Sequence, residues 1–208
     1  MADLAALTAA IEAGDRGRAT ALTQAAIDEG LPPETILAAM TAAMDEVGRR
    51  FSCNEIYVPE MLISARAMKE ATAALEPVLT AAGVRPEHTA VIGTIRGDLH
   101  DIGKNLVAMM WRGANIEVID LGANVAPERF VEAAREHNAN LVGLSALLTT
   151  TMVGMRDVVS AIAAAGLPAK VIVGGAPLTA AFADQIGAHG YAPDAASAVE
   201  VAVRLARA

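Results

Sequence analysis

Cysteine and basic residues are scarce in this sequence of 208 residues. Cys53 is the single cysteine, so no disulfide can form within the chain. Lysine and arginine together number 16 against 24 aspartate and glutamate residues, which gives a formal net charge of −8. A nucleic-acid-binding surface needs clustered lysine and arginine to neutralise phosphates, so this balance argues against a nucleic-acid partner. Proteins or small molecules are the expected partners.

Long apolar runs and a targeting segment are also missing. Although 54% of the residues are hydrophobic, alanine supplies many of them, and Pro168, Lys170 and Pro177 interrupt the apolar runs before membrane-spanning length is reached. The N-terminus has no basic region followed by a long apolar run, as a signal peptide would have. The sequence therefore predicts a cytoplasmic protein with no transmembrane segment.

The first part of the chain has a helical pattern over residues 4–79. Alanine, leucine, methionine and isoleucine recur three and four residues apart, and β-branched clusters are rare. Breaks at residues 14–15, 30–33 and 51–59 divide the pattern into four helices. Four helices with short connections pack best as a small bundle. We predict an all-α domain over residues 1–84.

The third and fourth predicted helices each carry an apolar stripe that contains methionine. The stripes comprise Met40, Met44 and Val47 on the third helix and Met61, Ala65, Met68 and Thr72 on the fourth. Methionine often fills irregular gaps in a hydrophobic core, so the stripes fit a bundle core. They also fit a flat apolar ligand held by the second half of the chain, and periodicity does not separate the two interpretations.

After a linker at residues 83–86, the pattern changes to strands that alternate with helices. The predicted strands cover residues 88–95, 116–120, 141–145, 171–174 and 190–192. The predicted helices cover residues 102–112, 127–138, 150–165, 176–186 and 194–206. This alternation is typical of a parallel sheet covered by helices on both faces. We predict an α/β domain over residues 85–208 with a five-stranded parallel, Rossmann-like or flavodoxin-like sheet.

A polar loop separates the first predicted strand from the helix that follows it. The loop contains one histidine, two carboxylates and two glycines in the run Gly97-Asp98-Leu99-His100-Asp101-Ile102-Gly103-Lys104-Asn105. Ligands bind at this edge of open α/β sheets. Two further segments, residues 145–151 after the third strand and 174–177 after the fourth, lie at the same edge. By themselves, their hydroxyl groups can be a helix N-cap and their double glycine a tight turn.

The loop does not match the common nucleotide-binding motifs. Five residues separate Gly97 from Gly103 where a phosphate loop has four, and Asn105 occupies the position of the magnesium-binding Ser or Thr. Asp98 and Asp101 would repel phosphate groups. The Gly-x-Gly-x-x-Gly dinucleotide fingerprint is absent from this turn. These differences argue against nucleotide hydrolysis and against dinucleotide binding.

Asp98 and His100 can combine a metal ligand with a supporting carboxylate. A histidine that binds a metal through one ring nitrogen usually donates its other N–H to a carboxylate, which fixes the tautomer. With one histidine in the loop and no cysteine or second histidine nearby, an ordinary zinc site lacks ligands. The metal must then bring most of its own coordination. A corrinoid meets this requirement because its macrocycle supplies the equatorial nitrogens.

Three segments resemble the cobalamin-binding signature of a known family. Residues 98–103 match its Asp-x-His-x-x-Gly motif, and Ser145-x-Leu147 and Gly174-Gly175 match its usual companions. The family comprises the corrinoid proteins of methanol-, methylamine- and methoxyaryl-type methyltransferase systems, and the chain is also similar to the cobalamin module of methionine synthase. Residues 44–51, 59–60 and 65–68 resemble the helical cap of the same family. The resemblance implies a four-helix cap followed by a five-stranded cobalamin-binding domain.

The resemblance also implies a role for each matching residue. His100 corresponds to the lower axial ligand of cobalt, which displaces the dimethylbenzimidazole of the cofactor, and Asp98 to the acceptor of the imidazole N–H. Thr151 aligns with a serine that completes this relay in methionine synthase. The positions implied to contact the cofactor, or to leave room for its nucleotide tail, are Gly97, Asp98, Leu99, His100, Asp101, Gly103, Ser145, Leu147, Thr149, Gly174, Gly175 and Ala195. The residues interpreted as structural or solvated are Lys104, Asn105, His88, His137 and His189.

The resemblance implies a methyl carrier with no complete active site of its own. Such a protein holds methylcobalamin or another corrinoid, takes a methyl group from a substrate-specific methyltransferase and passes it to a second methyltransferase with a tetrahydrofolate or thiol acceptor. A reductive activase is a further implied partner. The helical cap would shield the upper face of the cofactor, with the linker near Gly83 as a hinge. The identity of the methyl donor is not encoded here, since substrate choice lies in the partner.

Three alternatives share parts of the signature. A cobalamin-binding regulator or light sensor uses the same motif, but such proteins usually carry or contact a DNA-binding region, and no basic helix is visible. The accessory cobalamin domain of a radical mutase normally lacks the helical cap. A flavodoxin-like module without cobalamin would not need the combined signature.

Overall fold

The chain forms two compact units, one ending at Pro86 and the other beginning at Glu87. The structure is a computed structural model that describes residues 3–207. The predicted boundary between residues 84 and 85 lies two residues earlier than this division. The role of the helical domain as a cap stays a prediction.

The first unit consists of four helices within the described residues. They are α1 (Leu4–Glu12), α2 (Arg16–Asp28), α3 (Pro33–Ser52) and α4 (Val58–Ala81). Asp3 and Asp15 cap α1 and α2, because their carboxylates accept backbone N–H groups of the first turn at 2.9 and 3.0 Å. Helix α2 packs on α4, and α3 packs on both α1 and α4. The predicted four-helix region is confirmed.

The second unit is a parallel sheet with helices between its strands. Its strands are β1 (His88–Thr94), β2 (Ile116–Asp120), β3 (Leu141–Ser145), β4 (Lys170–Gly174) and β5 (Gly190–Ala192). The helices are α5 (Ile102–Gly113), α6 (Pro127–Glu136), α7 (Thr149–Met152), α8 (Met155–Ala164), α9 (Ala180–Ile186) and α10 (Ala195–Ala206). The strand order is β2-β1-β3-β4-β5, the flavodoxin-like order. The predicted α/β fold class is confirmed.

Alternating strand residues fill two apolar layers, one on each face of the sheet. Val91 of β1 lies in a core with Phe130 of α6 and Met155 of α8, whereas its neighbour Ile92 lies in a core with Trp111 of α5. The Trp111 indole N–H donates to the Ala198 carbonyl at 2.9 Å, which ties α5 to α10. Helices therefore cover both faces, and the carboxyl ends of the strands remain at one edge.

Two helix predictions in this unit were wrong in their bounds. The helix predicted over residues 150–165 is interrupted at Val153 and Gly154, so that α7 and α8 are separate. Glycine has poor helix propensity, and the short α7 lies beside the β1–α5 loop. The helix predicted from residue 176 begins at Ala180, because Thr179 caps it by accepting the Phe182 N–H at 3.2 Å.

Strand β1 ends one residue earlier than predicted. Ile95 instead forms an isolated parallel bridge with Val125, and its N–H donates to the Ser145 carbonyl at 3.1 Å. The chain leaving β1 is thus still paired on both sides where the polar loop begins. Among the helices of residues 3–207, none combines the length and the apolar character needed to cross a membrane.

Candidate functional site at the carboxyl edge of the sheet

Strand register brings the three polar segments to one edge. Thr94 at the end of β1 pairs with Ser145 at the end of β3, and Ser145 pairs with Gly174 at the end of β4. Since these strands are adjacent and parallel, the loops that follow them leave the sheet side by side. The β1–α5 loop, with Asp98 and His100, therefore lies next to the segment that leads into α7.

Asp98 is fully buried and accepts five hydrogen bonds. Its Oδ1 accepts the backbone N–H of His100 at 3.0 Å and faces the His100 ring Nδ1 at 2.8 Å. Its Oδ2 accepts the backbone N–H groups of Leu147 and Leu148 at 2.8 and 3.3 Å, and the Thr151 hydroxyl at 2.7 Å. One carboxylate thus joins the loop after β1 to the loop after β3.

These hydrogen bonds determine the charge of Asp98. Burial by itself raises the pKa of its carboxyl. Hydrogen bonds from the Leu147 and His100 backbone, the Thr151 hydroxyl and the His100 ring have the opposite and larger effect, and they hold the pKa well below its usual range. The group is therefore a carboxylate at neutral pH, and every hydrogen bond to it must be one that it accepts.

The charge of Asp98 in turn determines the tautomer of His100. Because an ionised carboxylate cannot donate, the ring nitrogen that faces it, Nδ1, carries the hydrogen. In the neutral ring, Nε2 then has a free lone pair, and 52% of the side chain is exposed. The buried Thr94 hydroxyl donates to the His100 carbonyl at 3.0 Å and so fixes the backbone of this residue. His100 can offer Nε2 as a ligand.

Thr151 has two acceptors for one hydroxyl hydrogen. Its Oγ1 lies 2.7 Å from Asp98 Oδ2 and 3.0 Å from the Leu148 carbonyl oxygen. The hydroxyl can therefore donate to the carboxylate or to the carbonyl, but not fully to both. The structure brings together the three residues that the sequence assigned to the relay.

The glycines of the site differ in what surrounds them. A Cβ on Gly175, where φ is +136°, would lie 1.9 Å from the Ala146 carbonyl oxygen, so the fold itself requires glycine there. A Cβ on Gly103 would meet nothing of the protein within 4 Å. Glycine at position 103 is therefore not explained by packing, and it leaves open space beside the first turn of α5.

The remaining predicted contact residues occupy several places along this edge. Ser145 ends β3, and its hydroxyl makes no hydrogen bond to any part of the chain that the structure describes. Thr149 is exposed at the start of α7, Gly174 ends β4, and Asp101 precedes α5, where its carbonyl accepts the Asn105 N–H at 2.8 Å. Ala195 is buried at the start of α10, beyond the edge strand β5, and is thus separate from the Asp98 cluster in the topology.

Exposed apolar side chains accompany the polar cluster. Within the described part of this unit, the exposed large hydrophobic residues are Leu99, Ile102, Leu147, Leu148 and Val153. All five belong to the β1–α5 loop, the first turn of α5 or the segment around α7. Leu99 and Ile102 are 76% and 77% exposed, values that are unfavourable without a covering partner. A flat apolar ligand beside His100 would cover such side chains.

Lys104 is a structural residue that the sequence did not pair with a partner. Its ammonium is buried and lies 2.6 Å from both carboxylate oxygens of Asp120 at the end of β2, and 2.6 Å from Asn105 Oδ1. Burial raises the pKa of Asp120, but the hydrogen bond from Lys104 and the Gly122 N–H lower it more. The ion pair ties the first turn of α5 to β2, so Lys104 has a structural role in this unit.

Asn124 is a second residue that sequence reasoning missed. Its side-chain Oδ1 accepts the Gly97 N–H at 2.8 Å, and its backbone N–H donates to the Asp98 carbonyl at 3.0 Å. The residue lies in the loop between β2 and α6 and has a φ of +57°. A signal was present in the sequence, because asparagine is the residue besides glycine that most readily takes this conformation.

The arrangement fits a corrinoid. Among residues 3–207, no three His, Cys, Asp or Glu side chains come together as a metal-binding group. The donor available at this edge is a single imidazole with Nε2 exposed, beside apolar side chains and the open space at Gly103. A metal held in a macrocycle needs one axial protein ligand, an apolar surface and room for a tail, and these residues offer all three.

This chain is similar to known proteins both in sequence and in structure. Residues 88–200 match a family model described as a B12 binding domain, and residues 4–76 match a second model with the same description. The chain is 40% identical over 203 residues to dimethylamine corrinoid protein 2 of Methanosarcina acetivorans, a match that covers 96% of this chain and 94% of that protein.

Two crystal structures have similar folds. A cobalamin-binding protein from Desulfitobacterium hafniense matches with a TM-score of 0.84 and 30% identity, covering 99% of both chains. A chain of the methanol:cobalamin methyltransferase complex from Methanosarcina barkeri matches with a TM-score of 0.87 and 28% identity, covering 98% of this chain and 79% of that chain. The similarity therefore extends over both units.

Proposed function

The chain belongs to the family of B12-binding corrinoid proteins of methyltransferase systems, and we propose that it carries a methyl group on cobalamin between two methyltransferases. The family and cofactor class predicted from the sequence motifs are confirmed. The observation that carries the proposal is the Asp98–His100 pair, in which a buried carboxylate 2.8 Å from Nδ1 leaves Nε2 free on a half-exposed ring.

In this proposal, His100 would hold the cobalt through Nε2, in place of the dimethylbenzimidazole of the cofactor. When bound, the cobalt supplies the reversible acceptance and release of the methyl group. The Nδ1 hydrogen bond to Asp98 fixes the ring plane and raises the basicity of Nε2. The metal site itself needs no other protein ligand.

Asp98 and Thr151 would control the protonation of the His100 ring. A ring nitrogen that holds a metal cannot also carry a proton, so Nε2 would have to be unprotonated where it holds the cobalt. A protonated ring would be stabilised by the Asp98 carboxylate, and the Thr151 hydroxyl at 2.7 Å shares the charge on Oδ2.

The loops after β3 and β4 would accommodate the displaced tail. The Ser145 hydroxyl has no partner among the described residues and can donate to it, with Thr149 as a second contact. Gly103 leaves open space beside α5, and Gly174 and Gly175 add no side chains to this edge. Ala195 is proposed as a further small residue near the tail.

The relatives support the first of the proposed partners, a substrate-specific methyltransferase. Similarity to a dimethylamine corrinoid protein and to a chain of a methanol:cobalamin methyltransferase complex supports a first partner that demethylates a methylamine or an alcohol. A second methyltransferase, with tetrahydrofolate or a thiol as acceptor, would remove the methyl group. A reductive activase would restore the cofactor after accidental oxidation.

Electron paramagnetic resonance of the protein loaded with cob(II)alamin tests the axial ligand. A histidine nitrogen on cobalt splits the signal, and we expect this splitting in the wild type and its loss in His100→Ala. His137→Ala is the matched control, because His137 is exposed at the end of α6. An unchanged spectrum in His100→Ala would disprove the assignment.

Methyl transfer distinguishes a carrier from a sensor. The loaded protein is mixed with purified candidate methyltransferases and a panel of methylamines and methanol, and methylation of the cofactor is followed by absorbance. Formation of the methylated cofactor and its discharge by a second methyltransferase support the carrier. Light-dependent change in oligomeric state without methyl transfer would favour the alternative of a cobalamin-binding regulator or light sensor.

A further inference from the structure

Asn124 touches the backbone on which both members of the Asp98–His100 pair depend. We infer that Asn124 is a positioning residue for His100, an inference that rests on the proposed function of His100 as a cobalt ligand. Asn124 is exposed and lies in the β2–α6 loop, 24 residues along the chain from His100. It belongs to neither core cluster of this unit, so we attribute its effect on the site to its hydrogen bonds.

Two hydrogen bonds connect Asn124 to the polar loop. Oδ1 accepts the Gly97 N–H at 2.8 Å, and the Asn124 N–H donates to the Asp98 carbonyl at 3.0 Å. The next residue, Val125, donates its N–H to the Thr94 carbonyl at 2.9 Å and bridges to Ile95. Residues 124 and 125 therefore continue the pairing of the sheet alongside β1, and the side-chain oxygen of Asn124 replaces a backbone carbonyl as the partner of Gly97.

Gly97 is the part of the loop that most needs such a partner. Its φ of +85° lies in the region that glycine enters freely, and a glycine backbone has the widest choice of other conformations. Rotation of the peptide between residues 96 and 97 would displace Asp98. The Asn124 Oδ1 opposes this rotation, because the rotation would break its hydrogen bond with the Gly97 N–H.

The effect reaches His100 through Asp98. Asn124 holds the Asp98 backbone from the β2 side, while Leu147, Leu148 and Thr151 hold the Asp98 carboxylate from the β3 side. The carboxylate then orients the ring through Nδ1. Two independent anchors on one aspartate determine where the imidazole points.

Other asparagines with the same backbone angle lack the side-chain hydrogen bond that Asn124 makes. Asn54, Asn115 and Asn138 have φ values of +57°, +58° and +49°, close to that of Asn124. None of these three side chains makes a hydrogen bond within residues 3–207. Asparagine serves at those positions through its backbone alone, and each offers a control for the effect of the angle.

Three variants separate the two contributions. Asn124→Gly keeps the backbone conformation and removes the side-chain acceptor. Asn124→Asp keeps the conformation and the acceptor. Asn138→Gly is the control, an asparagine-to-glycine change at a position away from the site. Each protein is loaded with cob(II)alamin, and its electron paramagnetic resonance spectrum is recorded in a buffer where the wild-type spectrum shows both the nitrogen-split and the unsplit signal. We expect Asn124→Gly to lower the ratio of split to unsplit signal by about two- to tenfold, the effect of one hydrogen bond. Asn124→Asp and Asn138→Gly should stay close to the wild-type ratio.

A second measurement needs no cofactor. Nitrogen-15 spectra of the His100 ring report the tautomer, and hydrogen exchange reports protection of the Gly97 amide. In Asn124→Gly we expect weaker enrichment of the Nδ1–H tautomer and faster exchange at Gly97, with Asn124→Asp restoring both. Unchanged ring spectra and an unchanged split-to-unsplit ratio in Asn124→Gly would overturn the inference. A wild type without nitrogen splitting would instead overturn the axial-ligand proposal, and the ring spectra would still decide the role of Asn124.

Discussion

Thr151 donates its hydroxyl to Asp98 Oδ2 at 2.7 Å although 53 positions separate the two residues in the chain. Thr151 lies in α7 after β3, and Asp98 lies in the loop after β1. The contact exists because β1 and β3 are neighbours, with Thr94 and Ser145 in register. This short hydrogen bond therefore joins the two loops that form the site.

Replacement of Thr151 by valine should weaken this assembly. The methyl group cannot donate, so Asp98 loses one of five hydrogen bonds while it remains buried, at a cost of roughly 1–3 kcal/mol in the free energy of unfolding. The pKa of Asp98 should rise toward its usual value. Chemical denaturation measures the loss of stability.

Two further variants show whether the hydroxyl itself is responsible. Thr151→Ser keeps the donor and should restore most of the stability. Thr150→Val changes the neighbouring exposed residue, whose side chain makes no hydrogen bond within the described chain, and should have little effect. Equal destabilisation by Thr151→Val and Thr150→Val would mean that the Asp98 contact contributes nothing.

The Lys104–Asp120 ion pair should respond unequally to removal of its two partners. The Lys104 side chain is 1% exposed and that of Asp120 is 27% exposed. Asp120→Leu leaves a buried ammonium without a counter-charge, a situation that costs roughly 3–5 kcal/mol, whereas Lys104→Met leaves a carboxylate that water can reach. We therefore expect Asp120→Leu to be the more destabilising change in guanidinium unfolding.

A surface pair provides the control for this experiment. Arg96 and Glu128 approach to 3.2 Å with both side chains more than half exposed, so Glu128→Gln should change the unfolding free energy by less than about 1 kcal/mol. If Lys104→Met destabilises the protein more than Asp120→Leu, the burial argument for this pair is wrong.

His189 should make stability depend on pH in the weakly acidic range. Partial desolvation of the ring and the nearby Lys170 lower the pKa of His189 from its ordinary value of 6.5, and its Nδ1 accepts the Val171 N–H at 3.0 Å. The unfolded chain therefore binds a proton at a higher pH than the folded chain does. The contribution to stability is complete above the ordinary value and is lost as pH falls below it.

Unfolding at two pH values tests this sign. The wild type should lose stability between about pH 7 and about pH 5.5, and His189→Asn, which keeps a side-chain acceptor but cannot be protonated in this range, should show a smaller loss. His88→Asn, at the start of β1, controls for the general effect of removing a histidine. A pH dependence that is identical in the wild type and His189→Asn would contradict the argument.

Local patterns were sufficient for most of the fold. The change from a helical period to alternating strands and helices lies within two residues of the division between the two compact units, and all five strands were found within one residue of their bounds. The two helices with wrongly predicted bounds are those whose ends depend on a single residue. Gly154 interrupts one, and Thr179 caps the other, and both residues were visible in the sequence.

The sequence by itself determined the two units, the parallel α/β class, and the motif that contains Asp98, His100 and Gly103, because helical and strand periods and a short motif are properties of neighbouring residues. Only the tertiary structure decided which groups surround Asp98, that Lys104 pairs with Asp120, and that Asn124 holds Gly97. Apart from the hydrogen bonds between Asp98 and His100, these contacts join residues 16 to 53 positions apart. They depend on strand order and register, which result from the packing of the whole domain and leave no periodic signal in the chain.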